Sequence, residues 1–258
     1  MMLPENCYAP RNQKVKMVVI HCFALSCDEM IETLKKYGLG VHYMIDEKGK
    51  VISLVPEEMK TYHAGGGRWR SFDDINDRSI GIELQHFDFG QTAYPKAQID
   101  ALSKLLFDIK KRYKISNRNI VGHSDSSPLT KPDPGCCFPW KVLARKGIGI
   151  PFNEEDGVQM DQVQVKRALK KVGYDNRNLM AAAWAFCRHF VPELVPYDKN
   201  LKEREKRIFD YRQSIKNLPE NEKKKAMKNC PTISPDDASI LKKKLFLKRL
   251  AGISKNAL

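Results

Sequence analysis

The sequence predicts a mixed α/β fold, a central β-sheet flanked by helices, followed by a smaller all-α domain. Three observations predict it. Short β-branched and apolar runs such as VVIHC and SIGIELQ alternate with amphipathic stretches through the first 150 residues. Past Ile150, the periodic segments place apolar residues three and four apart, and none reads as a strand. Between them, PFNEEDGVQ interrupts both periodicities with Pro, Asn, Gly and acidic residues, dividing the chain into residues 1–152 and 157–258.

In order, VKMVVIHC (15–22) is a buried strand that delivers His21 at its end. CDEMIETLKKYGLG sets Met30, Ile31, Leu34 and Tyr37 at helical spacing, with Gly38 and Gly40 as the stop. VHYMIDEKGKVISLV is a hairpin turning at Asp46–Gly49. Ser79–Gln85 is a further strand, its small and apolar neighbours placing Glu83 inside the domain or at the lip of a cleft. A long helix follows, with Ile99, Leu102, Leu105, Leu106 and Ile109 on one face. NIVGHSD is a short strand entering a loop, SSPLTKPDPGCCFPW is turn-rich, and WKVLARKG closes the first part as a short helix. In the second part, VQVKRALKKVGY, LMAAAWAFCRHF and DDASILKKKLFLKRL are helices.

The composition, 42% hydrophobic and 29% charged, is that of a folded globular chain and excludes a largely disordered or fibrous one. No stretch approaches the ~18 apolar residues of a membrane span, and no signal-peptide run opens the chain. Seven cysteines, Cys136 and Cys137 adjacent, do not form a tidy disulfide framework. Both points favour a cytoplasmic protein with reduced thiols; a removed leader would instead make it periplasmic or wall-associated. The net charge of +14 is concentrated late, with 23 Lys+Arg against 14 Asp+Glu after residue 150. LKEREKR, EKKKAMKN and LKKKLFLKR read as solvated helix faces, since Lys and Glu alternate in much of that stretch. Nucleic-acid binding has only this charge behind it and is not expected.

His21 and His123 each end an apolar strand, and Asp133 follows His123 by ten residues across a Pro- and Gly-rich loop able to fold it back. Two imidazoles and a carboxylate suit zinc and leave a fourth position for water, as hydrolysis requires. A carboxylate inside an apolar strand needs a partner or a task, which makes Glu83 the candidate general base. Lys131 would bring positive charge to the same edge, where it can neutralise a tetrahedral intermediate.

The ordered set VVIHC, VHYMID, YHAGGGRW, INDRSIGIEL, IVGHSD, PLTKPDPGCCFPW and LARKGIGIPF resembles the bacterial N-acetylmuramoyl-L-alanine amidases related to peptidoglycan recognition proteins, over roughly residues 15–152. The resemblance implies that fold, zinc held by His21, His123 and Asp133, Glu83 as catalytic carboxylate, Lys131 as electrostatic stabiliser, and a peptidoglycan or muropeptide substrate. The intact ligand set favours an enzyme over the rival reading, a peptidoglycan receptor without activity. Cys22 and Phe23 after the first histidine, and Cys136 and Cys137 after the DPG turn, depart from the family and leave open a thiolate competing for zinc. His42 and His63 are expected to pack and hydrogen-bond, and His86 has no assignment. Trp69 either faces a sugar ring or anchors its own loop. The helical tail is weakly similar to a three-helix peptidoglycan-binding module.

Overall fold

The structure, a computed structural model, describes residues 2–235 and 237–256. Along the chain lie β1 (Tyr8–Pro10), β2 (Met17–Phe23), α1 (Cys27–Tyr37), β3 (Tyr43–Ile45), β4 (Val51–Ser53), β5 (Met59–Thr61), α2 (Ile75–Arg78) and β6 (Ser79–Gln85). After them come α3 (Lys96–Tyr113), β7 (Ile120–Gly122), α4 (His123–Ser126) and α5 (Trp140–Arg145). The described residues that follow form helices joined by loops: α6 (Gln162–Val172), α7 (Leu179–Phe190), α8 (Leu201–Ser214), α9 (Glu220–Ala226) and α10 (Lys244–Lys255).

The main sheet has the order β4-β3-β6-β2-β7. Neighbours from β3 to β7 run parallel, and β4 returns antiparallel through the hairpin turn at Asp46–Gly49. Parallel strands are buried on both faces, which accounts for the unbroken apolar run of β2. The α1 boundaries follow from chemistry. Ser26 accepts from the Glu29 amide while Glu29 accepts from the Ser26 amide, and Gly38 ends the helix at φ 62°, a left-handed conformation that costs glycine nothing.

The two faces of β2 have different partners. Val18, Ile20 and Cys22 join Ile80, Ile82 and Leu84 in packing against Ile99, Leu102, Leu106 and Ile109 of α3. Met17 and Val19 face the opposite way, into a core shared with Val165 and Leu169 of α6, Phe186 and Phe190 of α7, and Phe246 and Leu250 of α10. Side chains alternate along a strand, so His21 continues the face that the helical region covers.

Trp69 belongs to this shared core. It is buried, donates its indole N–H to the Arg118 carbonyl at 2.8 Å, and meets Tyr174 edge-on. It is therefore the loop anchor and faces no sugar. Its ring lies where a side chain at Gly173 would begin, so that position admits only glycine.

Two sequence expectations change, and one pairing is new. β7 ends at Gly122, so His123 does not end the strand but opens the one-turn helix α4, where a loop was expected to begin. LKEREKR forms the start of α8 and LKKKLFLKR leads into α10, but Leu201 and Ile208 are buried with Cys230 and Ile233, and Phe246 and Leu247 lie in the shared core, so one face of each helix is covered. Pairing of β1 with β5 was not visible in three-residue segments of mixed polarity.

Candidate active site

The site lies at the carboxyl ends of three adjacent parallel strands, the usual place for function in such a sheet. In the register, His21 of β2 stands opposite Glu83 of β6, and Ile20 opposite Gly122 of β7. The next residue, His123, is thereby set beside His21. The DPG turn returns Asp133 to the same point. Its Gly135 has φ 86°, and a side chain there would strike the Phe89 and Gly90 carbonyls.

His21, His123 and Asp133 are buried, and their donor atoms converge. Nδ1 of His21 is 2.9 Å from Nδ1 of His123 and 3.2 Å from Oδ2 of Asp133, and His123 Nδ1 is 3.1 Å from that oxygen. Among the described residues no cysteine belongs to this cluster. Buried Cys22 has its thiol pushed well up by burial, which disfavours the thiolate a metal would need.

A hydrogen-bond relay fixes which nitrogen of His21 is free. Ser79 donates its hydroxyl to the Ile75 carbonyl at 2.5 Å and so accepts from His63 Nε2 at 3.1 Å. His63 Nδ1 is left as the acceptor for His21 Nε2–H at 2.9 Å. The lone pair of His21 Nδ1 therefore points at His123 and Asp133. The relay needs Gly81, since a Cβ there would sit 2.8 Å from the His63 ring. Electron-pair donors this close repel one another, and a dication among them relieves that repulsion; two imidazoles and a carboxylate fit zinc.

Electrostatics agree with this donor set. Burial works against the charge of Asp133, but His123 and His21 outweigh it and hold the carboxyl well below the usual range. Burial lowers His123 to about 4, leaving it neutral, the form that ligates. Glu83 is pushed well above the ordinary carboxylate range by burial and then by Asp133, with Lys131 pulling the other way. One Glu83 oxygen, Oε2, is buried with no hydrogen-bond partner among the described residues. A buried carboxyl oxygen without a partner is costly, so this atom is one that a bound reactant could engage.

Other residues support the centre. His42 donates Nε2–H to the Met59 carbonyl and accepts from the Gly81 amide, both at 3.0 Å. His86 pairs with Asp88 at 2.8 Å and packs on Tyr94. Asp125, two residues beyond His123, accepts from the Gly122 amide at 2.8 Å and from two groups of the helical region. These are the Tyr174 hydroxyl at 2.6 Å and His189 Nδ1 at 2.7 Å. Lys131 Nζ bonds Glu205 of α8 at 2.7 Å. Sequence reasoning missed Asp125, Tyr174, His189 and Glu205. Only the Asp in GHSD, beside a candidate ligand, gave any signal.

The family model described as N-acetylmuramoyl-L-alanine amidase matches residues 11–136. N-acetylmuramoyl-L-alanine amidase AmiD of Escherichia coli (strain K12) is 33% identical over 211 residues, 70% of this chain and 76% of the relative. Its structure in complex with the substrate anhydro-N-acetylmuramic acid-L-Ala-D-gamma-Glu-L-Lys superposes with a TM-score of 0.65 at 32% identity, covering 70% of this chain and 82% of that one. AmpDh3 of Pseudomonas aeruginosa in complex with anhydromuramic pentapeptide gives 0.63 at 29% identity, covering 75% and 91%.

Proposed function

The chain belongs to the N-acetylmuramoyl-L-alanine amidases, enzymes that cleave the amide joining muramic acid to L-alanine, and we propose that His21, His123 and Asp133 hold zinc for this reaction. The substrate we assign is the stem-peptide amide of peptidoglycan fragments, the anhydromuramyl form included, as in the complexes of the two related structures. The observation that carries the reading is the convergence of three donor atoms, with His21 directly opposite Glu83, whose buried Oε2 has no hydrogen-bond partner among the described residues.

When bound, zinc supplies a Lewis acid that polarises the scissile carbonyl and acidifies water. Glu83 takes a proton from the attacking water and hands it to the departing alanine nitrogen, the double role of a positioned acid and base. Lys131 meets the negative charge that develops on the carbonyl oxygen. His63, through Ser79, keeps the His21 lone pair aimed at the centre.

We assign residues 1–152 to the catalytic part and 157–258 to a helical part that contacts wall material. Seven unpaired thiols support a reducing, cytoplasmic setting, and no described helix is long and apolar enough to cross a membrane.

The test is mass spectrometry of products from soluble anhydromuropeptides and, separately, intact sacculi, with a chelator control. Chelator-sensitive release of free stem peptide is expected. Glu83→Ala should keep zinc and lose at least ~10²-fold in turnover, whereas His123→Ala should lose both. A zinc-replete Glu83→Ala enzyme with full activity refutes the role of Glu83, and no release by the zinc-loaded native chain favours the receptor reading.

A further inference from the structure

Lys131, placed above opposite the developing oxyanion, is held by a residue from the far end of the chain. Its Nζ lies 2.7 Å from Oε1 of Glu205, and the two side chains are each only 17% exposed. Glu205 follows Leu201 by four residues and precedes Ile208 by three, so it shares their covered face of α8. The helix is fastened on both sides of the site. Near its start, the Ile233 amide, from the segment packed under α8, donates to the Leu129 carbonyl in the Lys131 loop at 2.9 Å. Beyond its end, Lys216 donates to the Tyr37 carbonyl at 3.2 Å, and Phe209 meets the Tyr37 ring edge-on.

We infer that Glu205 is a positioning residue of the active centre, tethering the Lys131 ammonium so that its remaining donors face the reacting carbonyl. The inference rests on the amidase reading and on Lys131's role in it. A lysine side chain has a flexible four-carbon stem and three N–H donors. A single fixed carboxylate restrains the stem and leaves two donors for the oxyanion. Without the tether, Lys131 must be ordered anew at each turnover, a cost that falls on kcat more than on substrate binding. The helical region thus supplies a working part of the catalytic centre.

The test uses the zinc-loaded full-length chain and anhydro-N-acetylmuramyl tripeptide. Active native enzyme first establishes the amidase reading independently of Glu205. Glu205→Ala should then lower kcat about tenfold, with KM within about twofold and zinc content unchanged, against the ~10²–10³ that deleting an oxyanion donor costs. Glu205→Gln, which keeps an oxygen acceptor, should recover most of the loss, a rescue that a merely structural role would not give. In a Lys131→Ala background, Glu205→Ala should have no further effect. Circular dichroism melts establish that each variant is folded. Equal loss in Gln and Ala, additive effects with Lys131→Ala, or unchanged kcat overturns the inference. A rise in kcat/KM on Glu205→Ala also overturns it, showing α8 to be an obstruction that substrate must displace.

Discussion

At the scale of single residues, three imidazoles are kept uncharged inside the protein, and acid should find them. Burial lowers His42 to about 3 and His123 to about 4, and burial beside His21 and His42 holds His63 well below its ordinary value. An unfolded histidine titrates near ~6.5. These groups have depressed folded pKa values, so their contribution is fully present above that pH and is lost as the pH falls toward 4 and then 3. Each then costs about 1.4 kcal/mol per pH unit. The melting temperature of the metal-free chain should therefore fall steeply between pH 6.5 and 4; a flat profile there would contradict neutral burial. The convergence of His21, His123 and Asp133 was legible because strand ends and turn residues mark where side chains gather. Glu205 was not, since its partner lies 74 positions away and its neighbours read as an ordinary charged helix.

At the scale of elements, the join between α7 and α4 determines how firmly His123 is held. Asp125 is buried and accepts from Gly122, Tyr174 and His189, while the His189 ring is sandwiched by Trp140 and Phe190 at 3.9 Å each. Tyr174→Phe removes one donor and leaves a carboxylate oxygen unsatisfied, which should cost about 1–3 kcal/mol. Because Asp125 bonds the amide just before His123, the variant should also surrender zinc to a chelator more readily than the native chain. Melts and competition with a chromogenic chelator check the two effects separately. The strands β2 and β6 and the helix α3 were plain in the sequence from length and periodicity. The β1 and β5 pairing was not, because three residues carry too little pattern to separate a strand from a turn.

For the whole molecule, one apolar cluster runs from Met17, Val19, Trp69 and Val121 to the three tail helices α6, α7 and α10. A chain ending at residue 152 would bare these side chains to water, each worth roughly 1.5–3 kcal/mol of burial. We expect it to be insoluble or molten, without cooperative melting and without stoichiometric zinc; a sharp transition in the fragment would show the first part to be self-sufficient. Periodicity revealed the tail helices in outline. It could not reveal where their apolar stripes dock, because an amphipathic face looks the same whether it meets another helix or a sheet.

The double-sided burial of β2 also constrains the order of events at the ribosome. Met17 and Val19 are translated long before Phe246 and Leu250, which belong to the same core. Sequence separations this long make closure slow and leave an apolar sheet face waiting for its cover. The nascent amidase therefore keeps this sheet face uncovered, and in need of protection from aggregation, until α10 is released.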